Sequence, residues 1–141
     1  MSTHRVRRSV LFVPAVRPDR LTKAVATGAD AVCLDLEDGV SFEQKDDARE
    51  KAIVLLADPP SGSTEIMLRI NEPGSELGER DLSAMLDAGV RPDSLMVPKV
   101  NGPDTLRALE RRLGPPCEGL PLIVQIETAA GLAAVEAIAM A

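Results

Sequence analysis

Short apolar runs alternate along the chain with longer stretches in which apolar residues recur every three or four positions. The runs have the length and β-branched content of buried strands, and the longer stretches have helical spacing. Ser9 to Val13 (SVLFV) reads as the first strand, closed by Pro14. Pro18 to Thr27 follows as a helix with Leu21, Ala24 and Val25 on one face and Gly28 just past its end. Ala31 to Leu36 is the second strand, and Gln44 to Leu56 the next helix, with Ala48, Ala52, Leu55 and Leu56 inward and Ser41 as its N-cap. Glu65 to Ile70 is the third strand, left through the turn-rich Asn71-Glu72-Pro73-Gly74. A helix over Gly78 to Ala88 rests on Leu82, Met85 and Leu86. Ser94 to Val97 is a short fourth strand stopped by Pro98, and Pro103 to Leu113 a helix ended by Gly114. Leu122 to Ile126 is the fifth strand, and the Ala-rich stretch Thr128 to Met140 is helical.

Strands alternating with helices at intervals of roughly 22 to 35 residues predict parallel βα units in an α/β fold. No linker-like composition divides the 141 residues, so a single domain is expected. Continuously apolar strands suit a sheet covered on both faces. Two architectures meet these conditions, an open doubly wound sheet and part of a (β/α)8 TIM barrel. No G-x-G-x-x-G follows the first strand, which removes the main argument for a dinucleotide-binding sheet.

Composition narrows the function classes. Aromatic residues make up 1% of the chain, too few for the stacking platforms of single-stranded nucleic-acid binders. The net charge of −6 disfavours nucleic acid and anionic membranes as partners, although a local arginine can still hold a small anion. Cys33 and Cys117 form neither a disulfide framework nor a metal-ligand spacing. The apolar run Val10 to Val13 is too short for a signal peptide or a membrane span, so a cytoplasmic location is expected. His4 is assigned no role.

Charge changes the picture most at the strand ends. The second strand runs into Asp35, Glu37 and Asp38 before Gly39. Two such charges about 4 Å apart repel by roughly 4 kcal/mol at an effective dielectric of about 20, so a cation, a base or water must answer them. Arg17 and Arg20 follow the first strand, Arg69 and Asn71 end the third, Lys99 follows the fourth, and Gln125, Glu127 and Thr128 end the fifth. Polar residues collected at the C-terminal ends of all five strands are what a barrel active site requires. Arg69 has the planar fork for bidentate carboxylate binding, and equally for pairing with Asp35 or Glu37. Lys99 suits either an anion or a neighbouring acid.

The stretches RRSVLFVPAVRPDRLTKA, GADAVCLDLEDGV, LRIN, MVPKV and VQIETAAG, in this order, resemble the citrate lyase β-subunit family. This is the CitE-like branch of the HpcH/HpaI aldolase superfamily, which includes malyl-CoA lyases. The resemblance runs from about Arg7 to the last residue and implies a TIM barrel, of which roughly the first five βα units lie here. It implies a carbon–carbon lyase with Mg2+, cleaving a hydroxy-acyl thioester of CoA or acyl carrier protein into a keto acid and an acetyl thioester, or running the reverse condensation. Glu127 matches the family's metal-binding Glu, and Arg69 the arginine that clamps the substrate carboxylate. Glu37 and Asp38 match an acidic pair beside the metal's waters. Arg17 and Arg20 fall in the loop bordering the thioester arm.

A family barrel continues beyond Ala141, and its second metal ligand, an Asp after a sixth strand, has no match here. The expectation is therefore half a metal site and impaired turnover. Unpaired edges on the first and fifth strands predict association, as a homo-oligomer or as a non-catalytic subunit that completes its sheet with a partner chain.

Overall fold

Strands β1 (Val10–Pro14), β2 (Ala31–Asp35), β3 (Glu65–Arg69), β4 (Ser94–Val97) and β5 (Leu122–Val124) stand side by side in chain order, each parallel to the next. The computed structural model in which they are seen describes residues 5–141, and His4 lies outside them. Helices α1 (Pro18–Ala26), α2 (Lys45–Ala57), α3 (Glu76–Asp87) and α4 (Pro103–Leu113) fill the connections, and α5 (Ala129–Ala133) and α6 (Val135–Ala139) follow β5.

Strand order decides between the two architectures. A doubly wound sheet reverses its order at a switch point and carries helices on both faces. Here the order never reverses, and one face alone packs on helices. Val32, Leu34, Ile66, Leu68, Leu95 and Val97 meet Leu21, Ala52, Leu82, Met85 and Leu109 in the main core. The other face gathers Ala31, Cys33, Met67 and Met96, with Ile123 against them and no helical residue among them. Helices on one side and a small apolar cluster on the other are the arrangement of consecutive units of a (β/α)8 barrel. Side chains alternate along a strand. The inner face therefore carries Asp35 beyond Cys33 on β2, and Glu65 and Arg69 on either side of Met67 on β3, all buried. Burial pushes the Cys33 thiol up to about 12, which makes it an inert core residue.

Several boundaries differ from expectation. The continuous helix expected over Thr128 to Met140 breaks at Ala134 (φ −103, ψ 8). Each half is anchored by one buried residue, Gly131 in α5 against the Val100 carbonyl and Ile138 of α6 in the main core. Helix α2 begins at Lys45 after a 3-10 turn over Phe42–Gln44, and the Ser41 hydroxyl caps no backbone N–H. The Gln44 N–H already bonds to the Ser41 carbonyl at 3.0 Å, so the turn itself satisfies that donor. Helix α3 starts at Glu76, where the Ser75 hydroxyl accepts from the Gly78 N–H. Strand β1 is less covered than its apolar sequence predicts: Val10, Leu11 and Phe12 are 36%, 40% and 44% exposed. It is an edge strand, with β2 as its one neighbour. Among the described residues no helix is long and apolar enough to cross a membrane.

Candidate active site

The C-terminal ends of the strands hold a chain of charges built around Arg69. On β3, Arg69 sits in register with Asp35 of β2. Its Nε and Nη2 donate to Asp35 Oδ1 at 2.7 Å and Oδ2 at 2.6 Å. The guanidinium also lies over the Phe12 ring, 4.9 Å from the centroid, which holds its plane from the β1 side. Asp35 further accepts the N–H groups of Glu37 at 2.9 Å and Gly39 at 2.8 Å. Burial pushes the Asp35 carboxyl up, but these donors outweigh it and hold the group below its ordinary value. The Asp35 bonds, with its Coulombic attraction, raise Arg69 in turn against the cost of burial. Gly39 is required by this turn, because a Cβ there would stand 2.5 Å from Asp35 Oδ2.

Glu37 is the unusual member. It is buried, with Arg69 Nη1 3.2 Å from Oε2 and Lys99 Nζ 3.0 Å from Oε1. Neither oxygen has a hydrogen bond of good geometry. The two cations neutralise the carboxylate without saturating its lone pairs, so it retains acceptor capacity. Lys99 is raised by its contact with Glu37. Lys45, reaching from α2, donates to the Leu36 and Glu37 carbonyls and closes the back of the same turn. Burial lowers its ammonium, and the surrounding acids offset that only in part.

Glu127 follows β5 and is exposed; its Oε1 accepts the Lys99 N–H at 2.9 Å. Lys99 thus joins the second strand's acids to Glu127, by side chain on one side and backbone on the other. Of the two uses expected for Lys99, the structure shows pairing with an acid. Arg69 likewise pairs with Asp35 and Glu37, yet only two of its five N–H donors are hydrogen-bonded. Asp38 is exposed beside this group. Arg17 and Arg20 lie apart on exposed surface at the start of α1, with Arg17 bonded to Asp19 at 2.9 Å.

Among the described residues no three of His, Cys, Asp and Glu converge as a ready metal cage. Carboxylate oxygens with spare acceptor capacity at Glu37, and an exposed Glu127, are nonetheless the donor type that Mg2+ takes, one or two at a time with water. The residues therefore fit a partial Mg2+ site.

Sequence reasoning missed two buried polar groups. At the opposite, N-terminal end of the sheet, Glu65 accepts Arg7 Nε at 2.7 Å, Arg7 Nη2 at 2.8 Å and the Ser94 hydroxyl at 2.7 Å. Period-2 spacing in EIMLRI, which puts Glu65, Met67 and Arg69 on one face, was a signal for it. Behind the C-terminal end of the sheet, Asp81 of α3 accepts Arg49 Nε at 2.8 Å and both the Asn71 N–H and side-chain amide. No local pattern marks that link, which joins residues far apart in the chain.

The chain is 38% identical to mitochondrial citramalyl-CoA lyase of Mus musculus, over 94% of this chain and 41% of the relative. It superposes on RipC from Yersinia pestis with a TM-score of 0.76 at 38% identity, covering 94% of this chain and 52% of that one. It also superposes on the citrate lyase beta subunit of M. tuberculosis complexed with oxaloacetate and magnesium, with a TM-score of 0.73 at 37% identity over 92% of this chain and 52% of the other. The chain thus spans about half the length of the relatives it matches. The family model for HpcH/HpaI aldolase/citrate lyase matches residues 8–141, and the chain belongs to that family.

Proposed function

We propose that this chain carries the N-terminal part of a Mg2+-assisted carbon–carbon lyase acting on a hydroxy-acyl thioester. The observation that carries the reading is the buried Glu37 carboxylate, unsaturated in hydrogen bonds, joined through Lys99 to Glu127 and through an ion pair to Arg69. The magnesium and oxaloacetate bound by the tuberculosis relative, and the citramalyl-CoA named for the mouse relative, supply the ligand classes.

In this reading Glu127 is the metal ligand, with Glu37 and Asp38 beside the metal's waters. Mg2+ held there would offset the charge on the substrate hydroxyl oxygen as it loses its proton, and the electron pair of the breaking carbon–carbon bond leaves with the acetyl thioester as its enolate. Arg69 presents its remaining N–H donors to the substrate carboxylate while Asp35 and Phe12 hold its plane. Positioning of this kind contributes because the fork is fixed before the substrate arrives. Arg17 and Arg20, exposed at the start of α1, supply cationic charge for the anionic arm of a CoA or acyl-carrier-protein thioester in the same reading. Citryl, citramalyl and malyl thioesters all suit one carboxylate clamp beside a divalent cation.

The test is an assay of citryl-, citramalyl- and malyl-CoA cleavage, with and without Mg2+, on the purified protein and its Arg69→Lys and Glu127→Gln variants. Mg2+-dependent release of a keto acid, lost in both variants, is the expected result. Turnover that survives Glu127→Gln would remove the metal assignment.

A second reading, a non-catalytic subunit whose sheet is completed by a partner chain, is favoured by one observation. Strand β1 is a sheet edge and leaves Val10, Leu11 and Phe12 exposed. A stable oligomer that binds Mn2+ and keto acid but turns over no thioester is its signature.

A further inference from the structure

We infer that Lys99 is a positioning residue for Glu127, and that it acts through a left-handed backbone rather than through its charge. The inference rests on Glu127 serving a divalent cation. Lys99 has φ 53, the one positive φ outside glycine among the described residues. A side-chain-bearing residue in that region costs on the order of 1–3 kcal/mol and persists only when its surroundings over-determine it.

The surroundings do so here. The loop after β4 is laced to the start of α5 at three successive positions. The Lys99 N–H donates to Glu127 Oε1 at 2.9 Å. The Val100 carbonyl packs so closely on Gly131 that a Cβ there would overlap it. The Asn101 side-chain oxygen accepts the Thr128 hydroxyl. Thr128 itself caps α5, accepting from the Gly131 N–H at 3.0 Å. The left-handed turn at Lys99 is the conformation in which its N–H meets the exposed Glu127 carboxylate. One oxygen of the exposed Glu127 is thereby fixed. The ammonium meanwhile reaches back 3.0 Å to Glu37 Oε1. It balances that acid, so the cation is directed to Glu127.

Substitutions separate backbone from charge. Lys99→Val places a β-branched residue where φ is positive and favours an ordinary backbone that withdraws the N–H. Lys99→Gly removes the ammonium but keeps the backbone region open. The probe is Mn2+, titrated into the protein and followed by electron paramagnetic resonance. Lys99→Val is expected to bind Mn2+ about tenfold more weakly, the scale of the lost backbone preference. Lys99→Gly recovers most of that loss, and thermal midpoints of the two variants stay close. Equal weakening in both variants overturns the inference, as does unchanged affinity in Lys99→Val.

A metal-free arm keeps the two readings apart. In amide NMR spectra, Glu127→Gln moves the Lys99 N–H signal if the contact exists. Wild-type Mn2+ binding that equals that of Glu127→Gln sinks the cation reading. A Lys99 signal that does not move sinks the positioning role.

Discussion

The two ends of the sheet's inner face both bury carboxylates against an arginine, but only the C-terminal end, which also holds the fully bonded Asp35, leaves one of them, Glu37, unsatisfied. At the N-terminal end, Glu65 takes two hydrogen bonds from Arg7 and one from Ser94. At the C-terminal end, Glu37 has two cations near it and no aligned hydrogen bond. A saturated buried acid has nothing left to offer a ligand and serves to tie chain segments together. An unsaturated one keeps a cost that only a ligand or water removes. The same residue types thus make a rivet at one end and a site at the other.

The hardest blow to the rivet is Arg7→Ala. It strands the Glu65 carboxylate, whose side chain is 2% exposed, without its cation. Breaking a buried pair from one side costs about 3 kcal/mol or more. The expected outcome is a fall of that size in urea unfolding, with Mn2+ affinity of the folded protein unchanged. A loss of cation binding instead would join the two ends functionally and end the contrast.

The acid limb sharpens the same point. Burial pushes the Glu65 carboxyl up, yet the Arg7 and Ser94 bonds hold it below its ordinary value. A depressed folded value gives stability that is present above the unfolded value of about 4.3 and lost as pH falls through the folded one. Without Arg7, burial dominates and the folded value rises. Protonation of Glu65 then favours the folded state, so the stability gap between Arg7→Ala and the wild type, read from urea unfolding by circular dichroism, is largest near neutral pH and narrows as pH falls through the carboxylate range. A gap that stays constant with pH would mean that Ser94 alone satisfies Glu65.

At the other end, Gly39→Ala puts a Cβ 2.5 Å from Asp35 Oδ2 and 3.3 Å from its Cγ. Asp35 must turn aside, and Arg69 loses the partner that fixes its plane. Overpacking of this kind costs about 2 kcal/mol. The larger readout is functional: binding of oxaloacetate, measured by calorimetry with Mg2+ present, weakens more than stability falls. Retained oxaloacetate affinity would show that Asp35 does not hold the clamp.

These contrasts were only partly legible in the sequence. Apolar runs bounded by Pro and Gly marked all five strands to within two residues at either end, because buried parallel strands need continuous hydrophobicity. The polar strand ends marked where Asp35, Glu37, Arg69, Lys99 and Glu127 gather. The long-range partners stayed hidden: Arg7 meets Glu65 across 58 positions and Arg49 meets Asp81 across 32. Such pairs depend on which strands become neighbours, and no local period encodes that. The Lys99 backbone was hidden for the same reason, since a lysine after Pro98 carries no left-handed preference and acquires one from Glu127, Asn101 and Gly131. The break at Ala134 also escaped, because an Ala-rich stretch has high helix propensity throughout.

The finest comparison exchanges a single charge at each end. Glu65→Gln keeps the shape but replaces one acceptor oxygen with a donor, facing Arg7 and Ser94 that already donate. Hydrogen bonds to charged groups contribute about 1.5–3 kcal/mol each, so stability falls by an amount in that range. Glu37→Gln surrenders no aligned hydrogen bond and relieves a buried charge, while Arg69 keeps Asp35 and Lys99 keeps its exposed setting. The expected change there is under about 1 kcal/mol. Urea midpoints of the two variants, measured side by side with equal m-values, decide the matter. Equal losses would mean that Glu37 is held as firmly as Glu65, and the unsaturated carboxylate would no longer distinguish the active end.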